Sequence, residues 1–465
     1  MRTSEFGLPI TIIAGLLTGC GTAPSHEAME ADVDQAVEGE LPAAPERWGE
    51  ESGTGSVQVG WIESFNDPAL TNLVEEAQSN NKDLAAAAAS VDRSWALARQ
   101  AGAALSPDIS LSAGASESGN ANSSATSTNL SLGLQVSWEA DLWGRIRAGQ
   151  RGAVAGAQAI EADYRFARHS LAAATAKAYF TAIEANLQAD IARERLEILQ
   201  ETQRIVTVKY DNGMASAQDV SLTRSDLASA REQVTNLEGS FRDALRALEL
   251  LLGRYPGAEL EVRASLPSAP PPPPAGVPSE LLERRPDIVA AERRVAAAFN
   301  ATAQARAARL PTVGLTADLG GASGSLSDLL DPANVAWRAG ANMLAPIFDG
   351  GRRREAVEVA TAEQEQALAN YGQVALNAFS ELETYLDQGV VVAQRAVDLQ
   401  EAAREADKAY GIAKLRYEEG EEDLLSVLTI QQRVIRAKSS LSRVNRLLLE
   451  QRLNLNLALG GSWES

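Results

Sequence analysis

Along most of this chain apolar residues recur at helical spacing, and in four short stretches the spacing drops to two. From Asn129 to Trp138 the apolar positions are Leu130, Leu132, Leu134, Val136 and Trp138, alternating with Ser131, Gly133, Gln135 and Ser137. Ile109, Leu111, Ala113 and Ala115 alternate in the same way. So do Val313, Leu315, Ala317 and Leu319, and then Val335, Trp337, Ala339, Ala341 and Met343. Period two puts the apolar side chains on one face of a strand and the polar ones on the other. The pattern predicts strands over 108–117, 129–139, 312–321 and 335–345, each about ten residues, the length of a tilted membrane strand. Helices are predicted over 84–105, 148–210 and 218–252, and again over 287–309, 352–417 and 423–459.

The two sets are one unit written twice. Tyr210-Asp-Asn-Gly213 recurs as Tyr417-Glu-Glu-Gly420, and Leu252-Gly253 as Leu459-Gly460, each displaced by 207 residues. Gly144-Arg145 and Gly351-Arg352 share that displacement. The seven-residue ladder Val220, Leu227, Val234, Phe241 and Leu248 maps onto Val427, Val434, Leu441, Leu448 and Leu455. Seven is the step of a coiled-coil seam. A repeat this long sets the architecture before any local motif does.

The termini and joints carry their own signals. Residues 1–19 read as a signal peptide, with an apolar run from Leu8 to Leu17 too short to span a bilayer. The run ends in Leu17-Thr18-Gly19-Cys20, and Cys20 is the sole cysteine. A cysteine at the cleavage point is the pattern of an acylated bacterial lipoprotein, with Gly21 favouring outer-membrane sorting. Residues 20–60 are acidic and rich in Pro and Gly, which predicts a lipidated tether with little structure of its own. The repeats then occupy 61–266 and 287–465, separated by a 267–286 linker in which Pro270 through Pro274 force a stiff polyproline spacer.

Composition narrows the function. A net charge of −20 disfavours nucleic acid. His26 and His169 have no cysteine or carboxylate at metal-ligand spacing, and no phosphate loop or nucleophile elbow appears, so neither cofactor nor enzyme activity is expected. Four strands cannot close a barrel around a lumen, yet lipid tolerates no open sheet edge. If the strands cross a membrane, other copies must complete them, and three copies give twelve strands. A soluble hairpin domain on a coiled-coil stalk remains the alternative on pattern alone.

Several motifs together resemble the TolC-type outer-membrane factor family, in its OprM/NodT-like lipoprotein branch. Trp61-Ile-Glu-Ser-Phe65-Asn-Asp67-Pro68 with Asn80-Asn81-Lys82-Asp83-Leu84 is similar to that branch's opening. Trp138-Glu-Ala-Asp141-Leu-Trp-Gly144-Arg145, Leu281-Leu-Glu-Arg284-Arg285-Pro286-Asp287 and Pro346-Ile-Phe-Asp349-Gly350-Gly351-Arg352 match its internal joints, and Leu459-Gly-Gly-Ser-Trp463 its close. The resemblance implies a mainly helical homotrimer, with a twelve-stranded outer-membrane β-barrel continuing into a periplasmic coiled-coil barrel. It implies work as the exit channel of a tripartite efflux system, with a periplasmic adaptor and an inner-membrane transporter as partners. The exit duct of a type I protein-secretion system and a non-pore periplasmic scaffold are the alternatives.

The resemblance places the Gly213 and Gly420 turns at the periplasmic tips. Glu421, Glu422 and Asp423, with Asp219 in the other copy, are expected to ring an aperture where like charges repel. Alternatively, Asp423 is only a helix N-cap. Family members often carry an acid six residues after the second Gly, where this chain has Ser426. Tyr210, Gly213, Met214, Ala215, Tyr417, Gly420 and Leu424 are the expected adaptor contacts.

Overall fold

A computed structural model describes residues 25–41, 48, 60–119, 126–275, 278–329 and 331–461. The signal peptide, Cys20 and the closing Ser462 and Trp463 lie outside them. In chain order the elements are α1 (His26–Glu40), α2 (Pro68–Asn80), α3 (Lys82–Ala103), β1 (Asp108–Gly119), β2 (Thr126–Ala140), α4 (Arg145–Asp211) and α5 (Ala217–Leu251). The second half follows with α6 (Pro278–Arg284), α7 (Pro286–Ala307), β3 (Thr312–Ser323), β4 (Val335–Leu344), α8 (Arg352–Glu419) and α9 (Leu424–Ala458).

Two compact units share the chain. One takes residues 1–42, 90–161 and 290–373. It holds a single antiparallel sheet in the order β1-β2-β3-β4, so the two hairpins meet along β2 and β3. The register carries rows straight across: Leu111 pairs with Leu134, Leu134 with Leu319 and Leu319 with Trp337. That row belongs to an apolar face, and Leu111 and Trp337 on it are 71% and 79% exposed. Such a face in water would be a large liability; in lipid it is the required surface. At the base of the sheet Trp138 donates to the Leu105 carbonyl at 3.0 Å, and Arg145 grips Glu139 with both its Nε and Nη2.

The acidic segment is not the unstructured tether its composition suggests, because α1 forms within it. Ser25 caps the helix, and Met29, Val33 and Val37 fall at four-residue steps on one buried stripe. Met29 packs with Ala148 and Ala303 in a small cluster backed by Phe299.

The other unit takes residues 43–89, 162–289 and 374–465. Its main core joins Trp61, Phe65, Leu70 and Val74 to Tyr179, Phe180 and Ile183 of α4, with Leu248 of α5 and Leu453 of α9. Asp67 is buried beneath it and caps α2 through the amides of Ala69 and Leu70. It also accepts from the Tyr179 hydroxyl at 3.2 Å and from Arg263 at 3.0 Å. Those contacts balance an otherwise costly buried carboxylate. The proline run is also anchored at its two ends, contrary to the bare spacer expected. Pro270 and Ala275 are buried, and Arg452 donates to the Pro270 carbonyl at 3.0 Å. Polyproline II makes no internal hydrogen bonds, so its carbonyls are free for such a donor.

The heptad residues behave as a seam should. Leu227, Leu248, Val427, Val434 and Leu455 are buried, and the other five ladder positions are half-buried. At 67 and 68 residues, α4 and α8 each extend about 100 Å at 1.5 Å per residue.

Candidate functional site

Each long helix ends in the same turn. Gly213 has φ +76° and Gly420 φ +82°, a conformation that costs a residue with a Cβ. The Gly213 amide donates to the Tyr210 carbonyl at 2.9 Å, and the Met214 amide to that of Lys209 at 2.7 Å. In the second copy Gly420 donates to Tyr417 at 3.2 Å and Glu421 to Arg416 at 2.8 Å. These paired bonds satisfy the last helical carbonyls in the Schellman arrangement.

The returning helices start with the same two residue types in exchanged positions. In the first copy the Ser216 hydroxyl caps α5 by accepting from the Asp219 amide at 3.1 Å, while the Asp219 carboxylate accepts from the Ser216 amide at 2.8 Å. In the second, Asp423 caps α9 by accepting from the Ser426 amide at 2.8 Å. Asp219 and Asp423 are therefore committed to backbone amides, and the cap reading of Asp423 holds. Among the described residues no ion pair engages Glu421 or Glu422. Glu421 is exposed and Glu422 half-exposed, and they add uncommitted negative charge to the tip beside the exposed Glu418 and Glu419.

Beneath the turns the copies interlock. Leu199 and Val206 of α4, Leu227 and Ala230 of α5, and Leu424 and Leu428 of α9 form one buried cluster. Leu424 is therefore a packing residue with no surface to offer an adaptor, which corrects the sequence expectation. Tyr417 is half-buried at the cluster's edge. Burial, followed by the negative charge of Asp219, pushes its hydroxyl pKa up. Lys209 lies over its ring. Tyr210, Gly213, Met214 and Gly420 are exposed, and Ala215 is half-buried. Met214 is 70% exposed and Leu425, beside Leu424, is 65% exposed, which gives the tips an apolar surface.

Sequence reading missed Lys209. The signal was present, because the position 207 residues on is Arg416, a cation before each tyrosine.

No helix among the described residues is long and apolar enough to cross a membrane. Nor does any group of three or more His, Cys, Asp or Glu side chains among them come together to hold a metal ion.

Comparison with known proteins accounts for both the repeat and the sheet. The family model described as outer membrane efflux protein matches twice, over residues 73–254 and 277–461. The pyoverdine export outer membrane protein OpmQ of Pseudomonas aeruginosa is 33% identical over 97% of this chain and 95% of its own length. The cation efflux system protein CusC of Escherichia coli is 29% identical over 97% of this chain and 98% of its own length. Among solved structures, the outer-membrane channel OprN superposes with a TM-score of 0.83 at 30% identity, over 91% of this chain and 98% of that one.

Proposed function

The chain belongs to the outer membrane efflux protein family, and from that premise we propose that it forms the exit duct of a tripartite pump for small molecules. Three copies close their sheets into one twelve-stranded outer-membrane barrel, and their paired coiled coils carry the passage into the periplasm. One observation carries this reading. Among the described residues the sheet has four strands, two edges without a strand partner, one apolar face and one polar face. An edge left open in lipid leaves backbone amides and carbonyls unsatisfied at several kcal/mol each.

The duct does no covalent chemistry, and members of the family are channel proteins rather than enzymes. Its work is to be open or shut and to present a docking surface. Tyr210, Gly213, Met214, Ala215 and Gly420 meet a periplasmic adaptor at the tips, and an inner-membrane transporter supplies the energy. Glu421 and Glu422 from three copies put six carboxylates near one aperture, where mutual repulsion opposes closure until protons, cations or the adaptor offset it. Cys20 carries the lipid anchor. OpmQ and CusC differ in the cargo their names state. The shared scaffold therefore leaves cargo choice to the rest of the pump.

The test is conductance. Purified protein in a planar bilayer is expected to give discrete channel steps, larger once Glu421 and Glu422 are replaced by Gln. Protein that inserts into the bilayer yet yields no channel events, with or without those replacements, overturns the duct.

A further inference from the structure

The polar face of the sheet holds a feature that the tips do not explain. Register places Ser110, Gln135, Asp318 and Arg338 in one row across all four strands, with Asp318 directly opposite Arg338. The row on one side is Asp108, Ser137, Thr316 and Gly340. The row on the other is Ser112, Gly133, Gly320 and Ala336. Asp318 thus stands between Thr316 and Gly320 along its strand, and Arg338 between Ala336 and Gly340. A Cβ at Gly320 would lie 2.6 Å from the Leu132 carbonyl oxygen, so that position stays bare. The two charged residues are flanked along their strands by small residues.

From Ser110 to the far end of the strands, Asp318 and Arg338 are the only ionisable groups on this face among the described residues. The remaining acids on it, Asp108 and Glu139, lie at the base, where Arg145 holds Glu139. This face also borders a cavity of about 730 Å³ at the base of the sheet, lined in part by Asp108, Ser137, Glu139, Thr316 and Asn342. A polar face opposite an apolar, exposed one is the inner wall of a membrane barrel.

We propose that Asp318 and Arg338 form a charge-balanced belt around the inside of the barrel and keep it from selecting between cations and anions. The proposal rests on the duct reading. Three copies supply three carboxylates and three guanidinium groups at one level. Opposite charges on directly paired strand residues hold each other's fields locally, so the intact belt favours neither sign. Removing one member leaves a ring of three like charges, the arrangement by which pores select cations or anions.

The experiment is the reversal potential of the full-length protein in a planar bilayer under a potassium chloride gradient. The parent protein carries Glu421→Gln and Glu422→Gln to lessen the tip charge, and each variant is read as its shift from that parent. Arg338→Gln is expected to shift the potential toward potassium selectivity and Asp318→Asn toward chloride. The double variant returns to the parent value, which a merely structural lesion at either site would not do. Single variants that conduct with the parent's reversal potential overturn the belt and leave the duct standing. A parent that never conducts contradicts the duct itself.

Discussion

The Lys209 ammonium lies 3.9 Å from the centre of the Tyr417 ring and donates to the Tyr417 carbonyl at 3.1 Å. Lys209 belongs to the first copy of the repeat and Tyr417 to the second, so one side chain ties the two helical hairpins together at their tips. A cation over an aromatic face contributes about 0.5–1 kcal/mol at a partly exposed site, and the hydrogen bond adds about 1 kcal/mol. Lys209→Met keeps the stem and removes both. Amide hydrogen exchange is expected to quicken around Val206–Ala215 and Tyr417–Leu428, with little change elsewhere. Unchanged protection at both tips would show that the contact carries nothing.

Glycine-to-alanine substitutions separate backbone strain from crowding. Nothing lies within 4 Å of a Cβ built at Gly213 or Gly420, so alanine there costs only the left-handed backbone, about 1 kcal/mol. At Gly253 the same Cβ would sit 2.6 Å from the Asn80 carbonyl oxygen, and at Gly460 3.1 Å from the Arg284 backbone. Chemical denaturation should rank Gly253→Ala as the most destabilising, with Gly213→Ala and Gly420→Ala the mildest. Equal effects at all four would refute the distinction.

Those glycines were legible in the sequence, and so were the strands. β1 starts at Asp108 and β4 at Val335, where the period changes to two. The apolar stripe had only to be counted, because side-chain direction in a strand follows position alone. What stayed hidden depended on contacts across the repeat. Leu424 reads as a tip residue until Leu199 and Leu227 are seen beside it. Asp318 and Arg338 read as two unrelated polar positions until the register sets them face to face. Helix α1 escaped because its stripe is three residues, Met29, Val33 and Val37, among six acids. Composition there outweighed a weak but real four-residue spacing.

Acid should act on this protein through Glu249. Its carboxylate is buried and accepts from the amides of Ala258, Glu259 and Leu260 at 2.7–3.1 Å. Burial by itself raises its pKa, and the three amides more than reverse that, holding it below the ordinary 4.5. A depressed carboxylate contributes stability above its unfolded pKa and loses it as pH falls through the folded value. Glu249→Gln is therefore expected to be less stable than wild type near neutrality, the gap closing once pH drops below about 4.5. A gap that is constant with pH would remove the charge from the explanation.

At the tips, cap and charge should separate cleanly. Asp423→Ala loses the bond to the Ser426 amide and should cost about 1 kcal/mol, which Asp423→Asn largely retains. Glu421→Gln and Glu422→Gln should change stability by less than about 0.5 kcal/mol while altering conductance. A large stability change from the glutamates would assign them a structural role.

The central claim is that other copies of this chain complete its open four-stranded sheet. Native mass spectrometry of the full-length protein, released from detergent micelles, counts those copies directly. The account predicts three chains per particle. A particle of one or two chains, from protein that still conducts in bilayers, would contradict it.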